Sequence, residues 1–206
     1  MIASESAKGP RVGVYGGTFD PIHRGHLRVA ELVHQALTLD RVMFVPAQQS
    51  PLKGPAGASA VNRVAMVRLA VSAVSWASVA THEVDRAPPS YTVETLRALR
   101  EETGGAELFF VIGADALAEF ATWRDPDVIL KLAVIVSIRR PGVPLAIPPS
   151  LDALNRLMPG RIELVEASTP PISSRDIRAA IARGEDICQQ VPREVARYID
   201  QHHLYR

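Results

Sequence analysis

Two stretches of this sequence, "VMFVP" at 42–46 and "LFFVIG" at 108–113, are apolar from end to end. A strand with one wet face alternates apolar and polar residues, so strands without alternation are those covered on both faces. Such runs recur, each followed by a segment with helical spacing: "RVGVYG" with "HLRVAELVHQAL", "RVMFVP" with "NRVAMVRLAVSAV", "VATHEV" with "TVETLRALREE", and "ELFFVIG" with "DALAEF". Alternation of this kind predicts the α/β class, a doubly wound parallel sheet with helices on its faces. "LAVIVSI" at 132–138 reads as a fifth strand and "RIELVE" at 161–166 as a last one, followed by a C-terminal helical segment made of "ISSRDIRAAIARG" and "PREVARYIDQHHLY". Loops are expected where Pro, Gly and Ser cluster, at 47–59, 86–90 and 139–150, the first being long enough to act as a lid.

A chain of 206 residues can bury one sizeable core, and a single domain is expected, with sheet and helices over 11–165 and a closing motif with its helices over 166–206. With 47% hydrophobic and 22% charged residues, general disorder is excluded. Lys and Arg number 23 against 22 Asp and Glu, a balance that gives no electrostatic reason to expect nucleic acid or an anionic membrane as partner. Cys188 is the single cysteine, which rules out an intrachain disulfide, points to a reducing compartment, and is expected to be half-buried. "MIASESAKGP" lacks the apolar run of a signal peptide and no run of about 18 apolar residues could span a bilayer, so a cytoplasmic location is expected. The oligomeric state stays open, a homo-oligomer included.

The chemistry concentrates in "GVYGGTFDPIHRGH" at 13–26, where three glycines, an Asp-Pro turn and two histidines follow the first strand. In an open parallel sheet, ligands bind outside the carboxyl ends of the strands. Gly16 and Gly17 let the backbone approach a ligand, and a helix starting near Gly25 aims N–H groups and the positive end of its dipole at the same place. The common nucleotide fingerprints are absent: there is no G-x-G-x-x-G, no acidic residue after the second strand, and none of the three lysines is followed by Ser or Thr. What remains is His23 and His26, three residues apart across a helix start. Two imidazoles beside a helix N-terminus suit a phosphorus centre whose oxygens gain charge during displacement. Zinc would need a third and fourth ligand, and only Asp20 is near in sequence. The plain alternative is a strand-to-helix turn with solvated or capping histidines.

"GGTFDPIHRGH" together with "ISSRDIR" at 172–178 resembles the nucleotidyltransferase superfamily that carries an H-x-G-H signature and a carboxy-terminal I-S-S-x-x-[IV]-R. Within it the chain is most similar to the bacterial nicotinate-nucleotide adenylyltransferases, which make deamido-NAD from ATP and nicotinate mononucleotide. The resemblance runs from residue 11 to the end. It implies a Rossmann-like fold, an enzyme of NAD biosynthesis, no metal held by the protein itself, and a Mg²⁺ that arrives with ATP. His23 and His26 would then stabilise the α-phosphate. Gly16, Gly17, Thr18 and Phe19 would surround the nucleotide, and Gly25 would allow close approach, although Phe19 reads equally as a core plug.

"ISSRDIR" has a meaning of its own: Ser173 or Ser174 can cap a helix whose N–H groups face an anion, with Arg175 and Arg178 on one face. The resemblance assigns the β- and γ-phosphates to Ser173, Ser174 and Arg178. It also places the nicotinate pocket at "SYTVETL" and "TWRDPD", with backbone at Tyr91 and Thr92 receiving the pyridine carboxylate and Trp123 stacking on the ring. Core packing for Trp123 and capping of the next helix by Thr92 are the plain readings. Asp115, just past a buried strand, would accept from a ribose hydroxyl or cap the following helix. Lys53 and Arg140 match basic positions near the acceptor phosphate. The loop "QQSPLKGPAG" departs from the histidine-bearing segment many members have there. Other transferases of the superfamily, for phosphopantetheine or cytidylyl transfer, and a non-catalytic nucleotide-binding module are the competing expectations.

Overall fold

The structure, a computed structural model, describes residues 9–49, 54–139, 146–166 and 169–206. Six strands form one sheet: β1 (Arg11–Gly17), β2 (Arg41–Pro46), β3 (Ala77–Val79), β4 (Glu107–Gly113), β5 (Ala133–Arg139) and β6 (Ile162–Glu166). Their order is β3-β2-β1-β4-β5-β6 and every neighbouring pair is parallel. The chain works outward from β1 in one direction, then returns to β4 on its other side, so the order reverses between β1 and β4. Crevices for ligands open at such a reversal.

Eight α-helices accompany the strands among the described residues: α1 (Arg24–Ala36), α2 (Ala60–Val71), α3 (Thr92–Glu102), α4 (Ala114–Glu119), α5 (Pro126–Leu132), α6 (Asp152–Leu157), α7 (Ser174–Ala182) and α8 (Arg193–Gln201). Two cores result, one on each face. Val33, Met66, Val67, Ile177, Val195 and Ile199 pack with Phe44, Phe109 and Val111, while Val93, Leu96, Leu99, Ile129 and Leu130 pack with Val12, Val14, Leu108 and Phe110. The alternation inside β4, with Phe109 and Val111 to one side and Leu108, Phe110 and Ile112 to the other, explains the unbroken apolar run seen in sequence. Each such side chain contributes roughly 1.5–3 kcal/mol on burial. No described helix is long and apolar enough to cross a membrane.

The expected strand "VATHEV" at 79–84 is not formed. β3 covers only Ala77–Val79, and then Val84 N–H and Asp85 N–H donate to Thr81 O at 2.9 and 3.0 Å while the Thr81 hydroxyl donates to Asp85 at 2.6 Å. A local turn closed by its own side chains competes successfully with the ladder here. Cys188 is exposed, not half-buried: it follows Asp186, whose carboxylate accepts the Cys188 N–H at 2.9 Å and turns the chain at the surface.

Candidate active site

The carboxyl end of β1 is built around aromatic rings. A β-carbon on Gly16 would stand 3.3 Å from the ring of Phe110, and one on Gly17 would stand 2.8 Å from the ring of Phe19. Both positions therefore exclude side chains for packing reasons. Phe19 takes a left-handed backbone conformation, φ 49°, and its buried ring meets Tyr15 and His26 edge to face at 5.6 and 5.1 Å. It is a core plug, and His26 leans on it.

His23 is the N-cap of α1. Its Nδ1 accepts from His26 N–H, and His23 N–H donates back to His26 Nδ1, each at 3.3 Å, so two histidines form a capping box. The rings consequently stack, centroids 3.7 Å apart. Because both Nδ1 atoms accept, each neutral ring carries its proton on Nε2. Gly25 is required between them, since its β-carbon would sit 3.0 Å from the His23 ring. The expected set of outward N–H groups narrows: Arg24 N–H donates to Gln190 O at 2.8 Å and His26 N–H is used by His23.

The second motif docks on the first. Ser173 caps α7, accepting from Asp176 N–H at 3.1 Å. The Ser174 hydroxyl donates to Pro21 O at 3.0 Å and Arg178 Nη1 to Asp20 O at 2.7 Å, across a separation of 153 and 158 residues. Arg178 is half-buried, whereas Arg175 is exposed.

Three residues that sequence reasoning did not place in the site organise it. Asp20 is buried, and its carboxylate accepts from Gly57 N–H at 2.7 Å, Ala58 N–H at 3.0 Å and the Tyr205 hydroxyl at 2.8 Å, with Arg178 Nη1 at 3.5 Å. Arg63, 1% exposed, donates to Thr18 O, Ala47 O, Gln48 O and Ala58 O at 2.7–3.2 Å, stapling the ends of β1 and β2 to α2. Burial pushes its guanidinium below the ordinary value, and the charge of Asp20 pushes it back. Tyr205 is pushed upward by burial first and by Asp20 second, which keeps it a neutral donor. The available signal for Arg63 is its place on the apolar stripe of α2, with Met66, Val67 and Val71.

The opposite face of the sheet carries the expected acceptor residues. Ser90 is tied to the end of β2, its hydroxyl accepting from Gln48 N–H at 3.2 Å and its N–H donating to Gln49 O at 3.2 Å. Tyr91, not Thr92, is the N-cap of α3 and makes no side-chain cap bond; Thr92 opens the helix. The Arg124 guanidinium lies 4.6 Å above the Tyr91 ring and pairs with Glu94 at 3.1 Å. Trp123 packs on Phe120 and Phe110 at 5.4 and 6.2 Å, and its indole Nε1 is buried with no hydrogen-bond partner among the described residues. Phe110 thus links Trp123 to Gly16 at the end of β1. Asp115 is exposed in the first turn of α4, whose N-cap is Gly113 and not Asp115. Lys53 and Arg140 lie outside the described residues. Among the described residues no three His, Cys, Asp or Glu side chains are grouped to hold a metal.

The family model described as cytidylyltransferase-like matches residues 14–180. A curated protein of Roseiflexus sp., named "probable nicotinate-nucleotide adenylyltransferase", is 44% identical over 95% of this chain and 98% of its own length. The chain belongs to this nicotinate-nucleotide adenylyltransferase family. A Streptomyces coelicolor protein of the same name is 44% identical over 93% of this chain and 98% of that one. The solved structure of the Plasmodium falciparum nicotinic acid mononucleotide adenylyltransferase complexed with NaAD shares the fold, with a TM-score of 0.75, 17% identity, and coverage of 95% of this chain and 97% of that one. A family member therefore carries the H-x-G-H turn and the I-S-S-x-x-I-R helix packed against each other at the reversal of its sheet.

Proposed function

We propose that this site transfers the adenylyl group of ATP to nicotinate mononucleotide, giving deamido-NAD and pyrophosphate. The observation that carries the reading is the convergence of two helix N-termini, the stacked histidine pair and Arg178 on the turn Asp20-Pro21. Such a cluster presents donors and positive potential to a polyphosphate.

The acceptor's phosphate attacks the α-phosphorus in line, a new P–O bond forming as the bond to pyrophosphate breaks. An ionised phosphate needs no general base. Catalysis is positioning and charge stabilisation. His23 and His26 donate from Nε2 to the α-phosphate oxygens as negative charge builds there, and Ser173, Ser174 and Arg178 hold the departing phosphates. Thr18 and Gly25 contribute backbone next to the nucleotide, and Asp115 takes a ribose hydroxyl. Mg²⁺ enters as part of the substrate, bound to ATP phosphates, and neutralises their charge. The Asp20 carboxylate, with three donors and Arg178 around it, is a structural group and not a metal ligand.

On the other face, Tyr91 and Thr92 offer backbone donors to the pyridine carboxylate, and Trp123 stacks on the ring. The buried, partnerless Trp123 Nε1 supports a ligand there, because such a donor is costly to leave unpaired. Lys53 and Arg140 would complete the acceptor's phosphate site. Chromatographic detection of deamido-NAD from ATP, Mg²⁺ and nicotinate mononucleotide tests this: the wild type forms it and His26→Ala does not at comparable enzyme concentration. Equal product from both would overturn the assignment.

A further inference from the structure

The next-to-last residue of the chain reaches the centre of the site. The Tyr205 hydroxyl donates to Asp20 Oδ1 at 2.8 Å, and Asp20 Oδ2 pairs with Arg178 Nη1 at 3.5 Å, so Tyr205 and Arg178 are joined through one carboxylate. The Tyr205 ring also abuts Gly57, where a β-carbon would stand 3.2 Å from the ring and 3.3 Å from the Arg178 side chain. The three groups occupy one close-packed spot.

From this geometry we infer that Tyr205 is a positioning residue for adenylyl transfer, holding the Asp20 carboxylate so that Arg178 keeps its aim at the nucleotide's phosphates. The inference rests on the reading above for the identity of the reaction, but its physical content is narrower. A carboxylate that loses one of its strong donors rotates toward the remaining ones, and the nearest mobile donor is Arg178 itself. Arg178 is then drawn onto Asp20 and away from substrate. Tyr205 acts on the ligand only through Arg178, and its hydroxyl does not touch substrate.

The experiment is a double-mutant cycle read in MgATP affinity by calorimetry, with turnover measured alongside. Tyr205→Phe retains the ring and should raise the Kd for MgATP and lower kcat by about tenfold each, the size expected for one charge-assisted hydrogen bond. KM for nicotinate mononucleotide should stay within about twofold, since the acceptor residues lie on the other face. In the Arg178→Ala background, Tyr205→Phe should change MgATP affinity by less than about twofold. A residue that merely stabilised the fold would give losses that multiply. Wild-type affinity in Tyr205→Phe, or multiplying losses, would overturn the inference. Absence of turnover with nicotinate mononucleotide in the wild type would overturn the reaction assigned above, and the MgATP cycle would still decide the role of Tyr205.

Discussion

His23 and His26 stack with ring centroids 3.7 Å apart while each accepts the other's backbone N–H. One structural device thereby starts α1, fixes both tautomers and delivers two Nε2 protons to one region.

Removing either ring separates these roles. His26→Ala should lower kcat by about a hundredfold or more, the usual loss for one donor to a developing charge. His23→Ala should do the same and in addition cost about 1 kcal/mol of stability as the N-cap is lost. Steady-state kinetics and thermal unfolding of the two variants check this, and a larger destabilisation for His26→Ala than for His23→Ala would contradict it.

Gly25→Ala sets two effects against each other. Alanine favours a helix by about 1 kcal/mol over glycine, but this β-carbon would press on the His23 ring at 3.0 Å. Stability should change by less than about 1 kcal/mol while turnover falls at least about tenfold, because the ring moves and the helix does not. Calorimetry and pyrophosphate release on the same preparation read the two effects.

Arg63→Met removes the donor to Thr18 O, Ala47 O, Gln48 O and Ala58 O at the centre of the fold. Buried carbonyls left without partners make this a loss of about 3 kcal/mol or more, with MgATP affinity falling as the end of β1 loosens. Denaturant unfolding measures the loss, and a change under about 1 kcal/mol would show that the carbonyls find other donors.

Most of the sheet was legible because its strands are buried on both faces: β2 and β4 begin and end where "RVMFVP" and "ELFFVIG" do. The expected strand "VATHEV" failed because β-branched content cannot reveal that Thr81 and Asp85 close a turn. Helices α5 and α6, of 7 and 6 residues, are too short to show a period and were not read. In the site, His23, His26, Ser174 and Arg178 were readable from two motifs. Asp20, Arg63 and Tyr205 were not placed there, since their roles exist only through contacts such as Asp20 with Tyr205, 185 residues apart. Cys188 shows the same limit in reverse, a residue type often buried that a neighbouring Asp186 turns outward.

A pH dependence follows from Glu83, which sits behind Ser90 and accepts from the Thr95 hydroxyl at 2.9 Å. Burial pushes its carboxyl above the ordinary 4.5, and the hydrogen bonds of Thr95 and Ser90 and the charge of Arg86 pull back less. The folded state holds this proton more tightly, so the contribution to stability is complete below the unfolded value and is lost as pH rises through the raised one. Glu83→Gln stays neutral throughout. Its melting temperature relative to wild type should therefore rise between about pH 4 and 8, and a constant difference would contradict the sign.

The central claim is that this family member adenylylates nicotinate mononucleotide. It is tested most directly by pyrophosphate release from ATP and Mg²⁺ with nicotinate mononucleotide, nicotinamide mononucleotide and phosphopantetheine offered separately. The account predicts rapid release with the first and release at least about tenfold slower with the other two. Release with phosphopantetheine alone, or none with any acceptor, would contradict it.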